Sequence, residues 1–362
     1  MKSNALMQEL YDTPESDILE RIRDLRAKLG DKVLILGHHY QREEVIIFAD
    51  VTGDSLKLAQ HEASTKAPYI IFCGVHFMAE MADILTGDEQ SVILPDLAAG
   101  CSMADMANDE QVRRCWQELA SVIKPEETVT PVTYINSTAA LKSFCGEFGG
   151  IVCTSSNCER VLSWAWDRRE KILFFPDQHL GENTALAMGV PEESMIIWDP
   201  AQPLGGNTAE AIEQARMILW KGFCSVHQLF RPEHADAMRE KHAGIKILAH
   251  PECSRAVCET ADFAGSTEAI IQYVAAAPAG QSFAIATELN LVNRLRLQHP
   301  DKPIYFLSPT ICMCSTMFRT DPQHLLASLQ EVEADHAANP IRVPQADQRW
   351  GRLSLERMLD LA

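Results

Sequence analysis

The strongest constraint on this chain is an internal repeat: its 362 residues pass three times through one order of elements. Each pass runs from a strand with a polar cluster at its tip to a helix, a short strand closing on Ser or Thr, and a helix. A strand, a helix, a last strand and a Cys-Ser pair complete it. The first pass reads 33–36 (VLIL) with His38-His39-Tyr40 at its tip, then Gly53-Asp54-Ser55, 69–73 (YIIFC), 91–94 (SVIL) and Cys101-Ser102. The second reads 132–135 with Tyr134 and Asn136, 150–153 before Thr154-Ser155-Ser156-Asn157, and 171–175 (KILFF). It then takes 194–198 (SMIIW) as its last strand and, past a Gly-rich insertion at Gly205-Gly206, reaches Cys224-Ser225. The third reads 245–249 with His250-Pro251-Glu252-Cys253, Gly265-Ser266-Thr267, 282–286 (SFAIA), 303–307 (PIYFL) and Cys314-Ser315.

Strands alternating with helices imply parallel sheets with right-handed crossovers. Repeat periods of 96 and 116 residues (134 − 38 and 250 − 134) mean duplicated domains, not a solenoid. The expected fold is therefore α/β: three homologous αβα sandwich domains in a pseudo-threefold arrangement around a central site. The boundaries are 1–108, 109–226 and 227–320, with a helical tail, 321–362, packing back on the first domain. One long doubly wound sheet would not explain why three Cys-Ser pairs recur in register.

Composition narrows the class. Apolar content of 46% and charged content of 23% suit a globular protein with a sizeable core. A net charge of −18 and the lack of a Lys/Arg block argue against a nucleic-acid or anionic-membrane surface. No apolar run of about 18 residues occurs, and MKSNALMQELYDTPESD has no apolar signal core, so the expected location is cytoplasmic.

Eleven cysteines then need an explanation, since cytosolic disulfides are rare and no CxxC pair occurs. Register singles out Cys101, Cys224 and Cys314. Cys312 competes for the third place, but CSMA, CSVH and CSTM align on Cys314. Three thiolates, one per domain, suit zinc, Cu(I) or an iron–sulfur cluster; unliganded core cysteines are the plain alternative. Cys73, Cys153 and Cys253, on or beside strands, read as core.

In order along the chain stand GHHYQREEV, ADVTGDSL, GVHFMAEMA, LPDLAAGCSMAD, TYINSTAALK, CTSSNC, FPDQHLGENTA, GFCSVH, HPEC, GST and a Cys-x-x-Met at Cys314. In these motifs the chain resembles the quinolinate synthase family, the A protein of bacterial de novo NAD biosynthesis. The likeness covers about 33–326.

The resemblance implies a synthase that condenses iminoaspartate with dihydroxyacetone phosphate to quinolinate, with phosphate and water released and a dehydratase-like last step. It implies a [4Fe–4S] cluster on Cys101, Cys224 and Cys314, whose open iron acts as a Lewis acid. L-Aspartate oxidase is the expected functional partner; no nucleic acid or membrane is expected. Carried over by position, the substrate contacts are His38, Tyr40, Ser55, Tyr134, Asn136, Ser155, His250, Glu252, Ser266 and Thr267. Glu252, beside His250 at a strand tip, reads as a general base, and Tyr40 as a proton donor or shuttle. Ser55, Ser155, Ser266 and Thr267 at helix amino termini offer donors to carboxylate and phosphate. His39, His76, His179 and His227 receive no role.

Overall fold

The computed structural model describes residues 2–311 and 313–361, so Cys312, the competing ligand, lies outside the described residues. The chain is α/β, with three parallel sheets. The first is built from β1 (Val33–His38), β2 (Val51–Gly53), β3 (Tyr69–Cys73) and β4 (Ser91–Ile93), in the order β2-β1-β3-β4. The second takes β5 (Val129–Tyr134), β6 (Ile151–Cys153), β7 (Lys171–Phe175), β8 (Met195–Trp198) and β9 (Met217–Trp220), in the order β6-β5-β7-β9-β8. The third takes β10 (Lys246–Ala249), β11 (Phe263–Ala264), β12 (Phe283–Ala286) and β13 (Ile304–Phe306), in the order β11-β10-β12-β13. Every residue of β5, β7, β9 and β12 is buried, as expected for parallel strands covered by helices on both faces.

The sequence reading took 194–198 as the closing strand of the second pass. That place belongs to β9, which pairs with β7, while β8 is an added edge strand on β9. The short apolar run 217–220 follows the Gly-rich insertion at Gly205-Gly206, and the extra strand accounts for the length of the middle pass.

By compactness the chain forms two units: Met1–Cys101 with Met313–Val343, holding the first sheet, and Ser102–Cys312 with Pro344–Ala362, holding the second and third. The tail divides accordingly. Helix Pro322–Glu333 packs on helix Glu15–Leu29, which turns Ile18, Ile22 and Leu29 inward at helical spacing. Helix Gln345–Leu359 instead packs on helix Ala139–Glu147 beside the second sheet, where Ser354 Oγ donates to Lys142 O at 2.8 Å. No helix among the described residues is long and apolar enough to cross a membrane.

The strand order places a topological switch point at the first strand of each sheet, and ligands of open α/β sheets sit at the strand carboxyl ends there. Register also explains why a tip residue and a hydroxyl keep a nearly constant spacing. His38 pairs with Gly53, Tyr134 with Cys153 and Ala249 with Ala264. In each case the hydroxyl of Ser55, Ser155 or Ser266 follows two residues later.

Candidate active site

In the second unit the tips of β5 and β10 build one buried network. Tyr134 donates its hydroxyl to Glu252 Oε1 at 2.6 Å. His227 Nδ1 lies 2.9 Å from Glu252 Oε2, and its Nε2 lies 3.3 Å from Thr287 Oγ1, just past β12. His250 stacks on His227 with ring centroids 4.8 Å apart, and its Nε2 lies 3.2 Å from Ser155 Oγ. The backbone N–H of Glu252 donates to His250 Nδ1 at 3.3 Å. That bond occupies Nδ1 as an acceptor, so the neutral His250 ring carries its proton on Nε2 and donates from there.

The electrostatics follow from burial. Removal from water drives the Glu252 carboxyl up, but His227 beside it, then His250 and the Tyr134 hydroxyl, overcome this and hold it at about 2. His250 falls to about 3 because burial disfavours its cation. Asp177, at the tip of β7, is pushed well above the carboxylate range by burial and by the charge of Glu252. The network thus holds an ionised carboxylate, a neutral imidazole and a phenol hydrogen-bonded to the carboxylate.

Three supports set this geometry. Asn183 donates to Pro251 O at 2.8 Å and Cys253 O at 2.9 Å, which fixes the turn carrying Glu252 and gives the FPDQHLGENTA segment a role. Lys142 is 0% exposed; its ammonium donates to Ile135 O at 2.9 Å and to Ser137 O, behind Tyr134 and Asn136. Ser137 Oγ in turn donates to Tyr134 O at 2.7 Å. Near Cys224, Gly222 is required by close approach: a Cβ there would stand 2.1 Å from Pro176 O.

The predicted residues of the second unit are brought together unevenly. Tyr134, Ser155, His250 and Glu252 are directly connected, and Asn136 is half-buried on the turn after Tyr134. Ser266 is itself the N-cap of helix Thr267–Ala276, its Oγ accepting from Ala269 N at 3.3 Å, with Thr267 the first helical residue. His227, Asn183 and Thr287 were not singled out by sequence reasoning. The position of His227 three residues after Cys224, in GFCSVH, was the one available signal.

The first unit has its own tip. Tyr40 N donates to His38 Nδ1 at 3.1 Å, and the two rings meet edge-on at 4.7 Å. Asp54, not Ser55, caps helix Ser55–Glu62, its Oδ1 accepting from Lys57 N at 2.9 Å, so the Ser55 hydroxyl is not spent on capping. The turn after Tyr40 is tied to the segment after Cys314: Gln41 Nε2 donates to Met317 O at 3.2 Å, and Arg42 lies 3.8 Å from the Phe318 ring centre. Arg319 Nε donates to Asp96 Oδ2 at 2.7 Å, which pins the segment after Cys314 to the loop that leads to Cys101.

The cysteines separate by environment. Burial raises the thiols of the core residues Cys115, Cys145, Cys153 and Cys253, and it raises buried Cys73 and half-buried Cys258 to about 12, so these stay protonated. Cys101, Cys224 and Cys314 are half-buried and not disulfide-bonded. Accessible thiols on loops after the last strands fit a thiolate-bound metal group in donor chemistry. The ligand atoms of Cys224, His227 and Glu252 also lie within 4.8 Å of one another, a set that could chelate a single ion.

Fold and site define a class: an α/β enzyme with repeated switch-point tips, a buried ionised carboxylate and three half-buried thiols. The family described as Quinolinate synthetase A protein matches residues 20–360. Quinolinate synthase of Rhodopirellula baltica is 53% identical, covering 96% of this chain and 92% of its own length. That of Corynebacterium glutamicum is 50% identical, covering 99% of this chain and 91% of its own, and that of Streptomyces coelicolor is 52% identical, covering 98% and 90%. The chain belongs to the quinolinate synthase family.

Proposed function

We propose that the chain condenses iminoaspartate (iminosuccinate) with dihydroxyacetone phosphate to quinolinate, using a [4Fe–4S] cluster held by Cys101, Cys224 and Cys314. Atom balance gives one phosphate and two waters per quinolinate. The observation that carries this reading is the Tyr134–Glu252–His227 network, a buried carboxylate held low by the two side chains against it. Cys101, Cys224 and Cys314 would hold the cluster, which would supply Lewis-acid chemistry for the loss of water.

The chain's own groups do the proton work. Glu252 Oε accepts a proton from substrate carbon, and Tyr134 holds the carboxylate in line. His227 keeps that base charged in a dry site. His250 donates from Nε2 to a substrate oxygen, sharing Ser155. Tyr40, half-buried and edge-on to His38, is the proton donor or shuttle of the first unit. Ser55, Ser155, Ser266 and Thr267 bind the anionic groups, and Tyr134 and Asn136 face the forming ring. The imine must come from oxidation of aspartate, so an L-aspartate oxidase is the proposed supplier. An oxygen-labile cluster and an unstable imine both suit the cytoplasm.

Anaerobic iron and sulfide analysis beside quinolinate formation tests this, on wild type, Cys314→Ala and Cys312→Ala. Four irons and four sulfides lost in Cys314→Ala and kept in Cys312→Ala are expected. Loss only in Cys312→Ala overturns the ligand choice. Stoichiometric zinc without sulfide would favour a zinc-dependent lyase or hydrolase at Cys224, His227 and Glu252.

A further inference from the structure

A second-unit cavity of about 560 Å³ is lined on one side by Ser155 and Asn157 and on the other by Gly265 and Ser266. Asn157 opens helix Cys158–Trp166, where an asparagine ordinarily caps the helix with its side chain. It does not do so here. Its Oδ1 turns back to accept from Thr154 N at 2.8 Å and Thr154 Oγ1 at 3.1 Å, and these two donors fix which end of the amide is which. Asn157 is 2% exposed, and its Nδ2 has no hydrogen-bond partner among the described residues. A buried N–H without an acceptor is a cost that a bound acceptor removes.

We propose that Asn157 is a further substrate-positioning residue, whose Nδ2 donates to an oxyanion of the substrate held in the cavity between Ser155 and Ser266. This rests on the function proposed above. The site favours an anion for a reason besides the orphaned donor. The first residues of the helix line the cavity and its amino terminus has no side-chain cap, an end whose dipole favours negative charge. The wall carries two arginines and two carboxylates, Glu159 and Glu259; Arg255 is matched by Glu192 and Glu259, each at 2.6 Å, and Arg160 stands exposed at the rim beside Glu159. In a chain of net charge −18 such a local donor set is needed to hold an anion at all. A carboxylate and a phosphate share this chemistry.

Asn157→Asp separates donation from architecture, because it keeps the oxygen that accepts from Thr154 and replaces only the N–H₂ with an oxygen. The holoenzyme variant is expected to raise KM for one of the two substrates about 10- to 100-fold, the range of one lost charge-assisted bond, with kcat less affected. Inorganic phosphate and malate, titrated as inhibitors against wild type, identify the group: whichever weakens in parallel is the ligand class held. Thr154→Val, which removes one of the two donors to Oδ1, is expected to leave KM within about threefold. An unchanged KM and unchanged phosphate and malate inhibition in folded Asn157→Asp overturn the proposal. So does an equal KM loss in Thr154→Val, which would make Asn157 a turn residue only. If Asn157→Asp does not fold, uncharged Asn157→Ser is read by the same criteria. A wild type that makes no quinolinate sinks the functional reading instead, while phosphate and malate binding, followed by fluorescence, still decides the role of Asn157.

Discussion

The tips of β1 and β10 use one local device for different ends. In both, the histidine closing the strand accepts through Nδ1 from the backbone N–H two residues on: Tyr40 to His38 at 3.1 Å, Glu252 to His250 at 3.3 Å. The turn therefore sets the tautomer, and each ring presents Nε2–H when neutral. The residue that donates that N–H decides the rest. Tyr40 is half-buried and meets its histidine edge-on, so a neutral phenol stays near water. Glu252 is 4% exposed, and His227, 2.9 Å away, helps hold its carboxyl low. A repeated backbone thus carries either a half-buried phenol or a buried carboxylate, and only the carboxylate draws a partner from elsewhere in the chain.

Removing the two functional groups should break this division most sharply. Glu252→Gln keeps the Tyr134 contact but not the base, and quinolinate formation is expected to fall about 10³-fold or more in kcat. Tyr40→Phe is expected to fall about 10²-fold. A larger loss at Tyr40, in single-turnover assays, would reverse the roles assigned to the tips.

The imidazole beside Glu252 gives the next largest effect. His227→Leu strands a buried carboxylate and should cost about 3–5 kcal/mol in denaturant unfolding. His76, whose side chain is 44% exposed and lies 3.7 Å from Glu80 in the first unit, should cost under about 0.5 kcal/mol when changed to Leu. Equal costs would mean that the His227 pair is no more than a surface contact.

Acid sensitivity separates the tips as well. The Glu252 carboxyl is lowered in the fold from its ordinary 4.5 to about 2. Its contribution is therefore present above pH 4.5 and lost as pH falls through 2. Unfolding midpoints of wild type should fall across that window, and Glu252→Gln should flatten part of that slope. A curve identical to wild type would show that the carboxyl is not depressed.

The smallest contrast lies in the cysteine loops. Gly222→Ala drives a Cβ onto Pro176 O and should cost about 1–3 kcal/mol. A Cβ at Gly100, beside Cys101, would meet nothing within 4 Å, so Gly100→Ala should stay within about 0.5 kcal/mol. Thermal melts of the two variants compare a loop held by close packing with one that has room.

Much of this was legible beforehand. The apolar runs YIIFC and KILFF were read as strands with the observed bounds, β3 and β7, because parallel strands buried on both faces write themselves as unbroken apolar segments. The spacing from tip to hydroxyl was legible too, since it is one crossover to a neighbouring strand in fixed register. β9 was missed because four apolar residues after an insertion carry no periodicity of their own. His227 was passed over for a different reason: nothing local distinguishes a histidine destined to face a carboxylate from one that merely packs.

The sequence by itself determined the threefold order of elements, the chemistry present at each strand tip and the three cysteines in register, because these depend on periodicities of a few residues. Tertiary structure alone decided that Glu252 meets Tyr134 and His227, that Asn183 holds its turn, and that helix Gln345–Leu359 lies on the second sheet. Those contacts join residues whose crossovers end at the same face. A polar pair across such a distance in the chain leaves no mark in either segment until both are desolvated together.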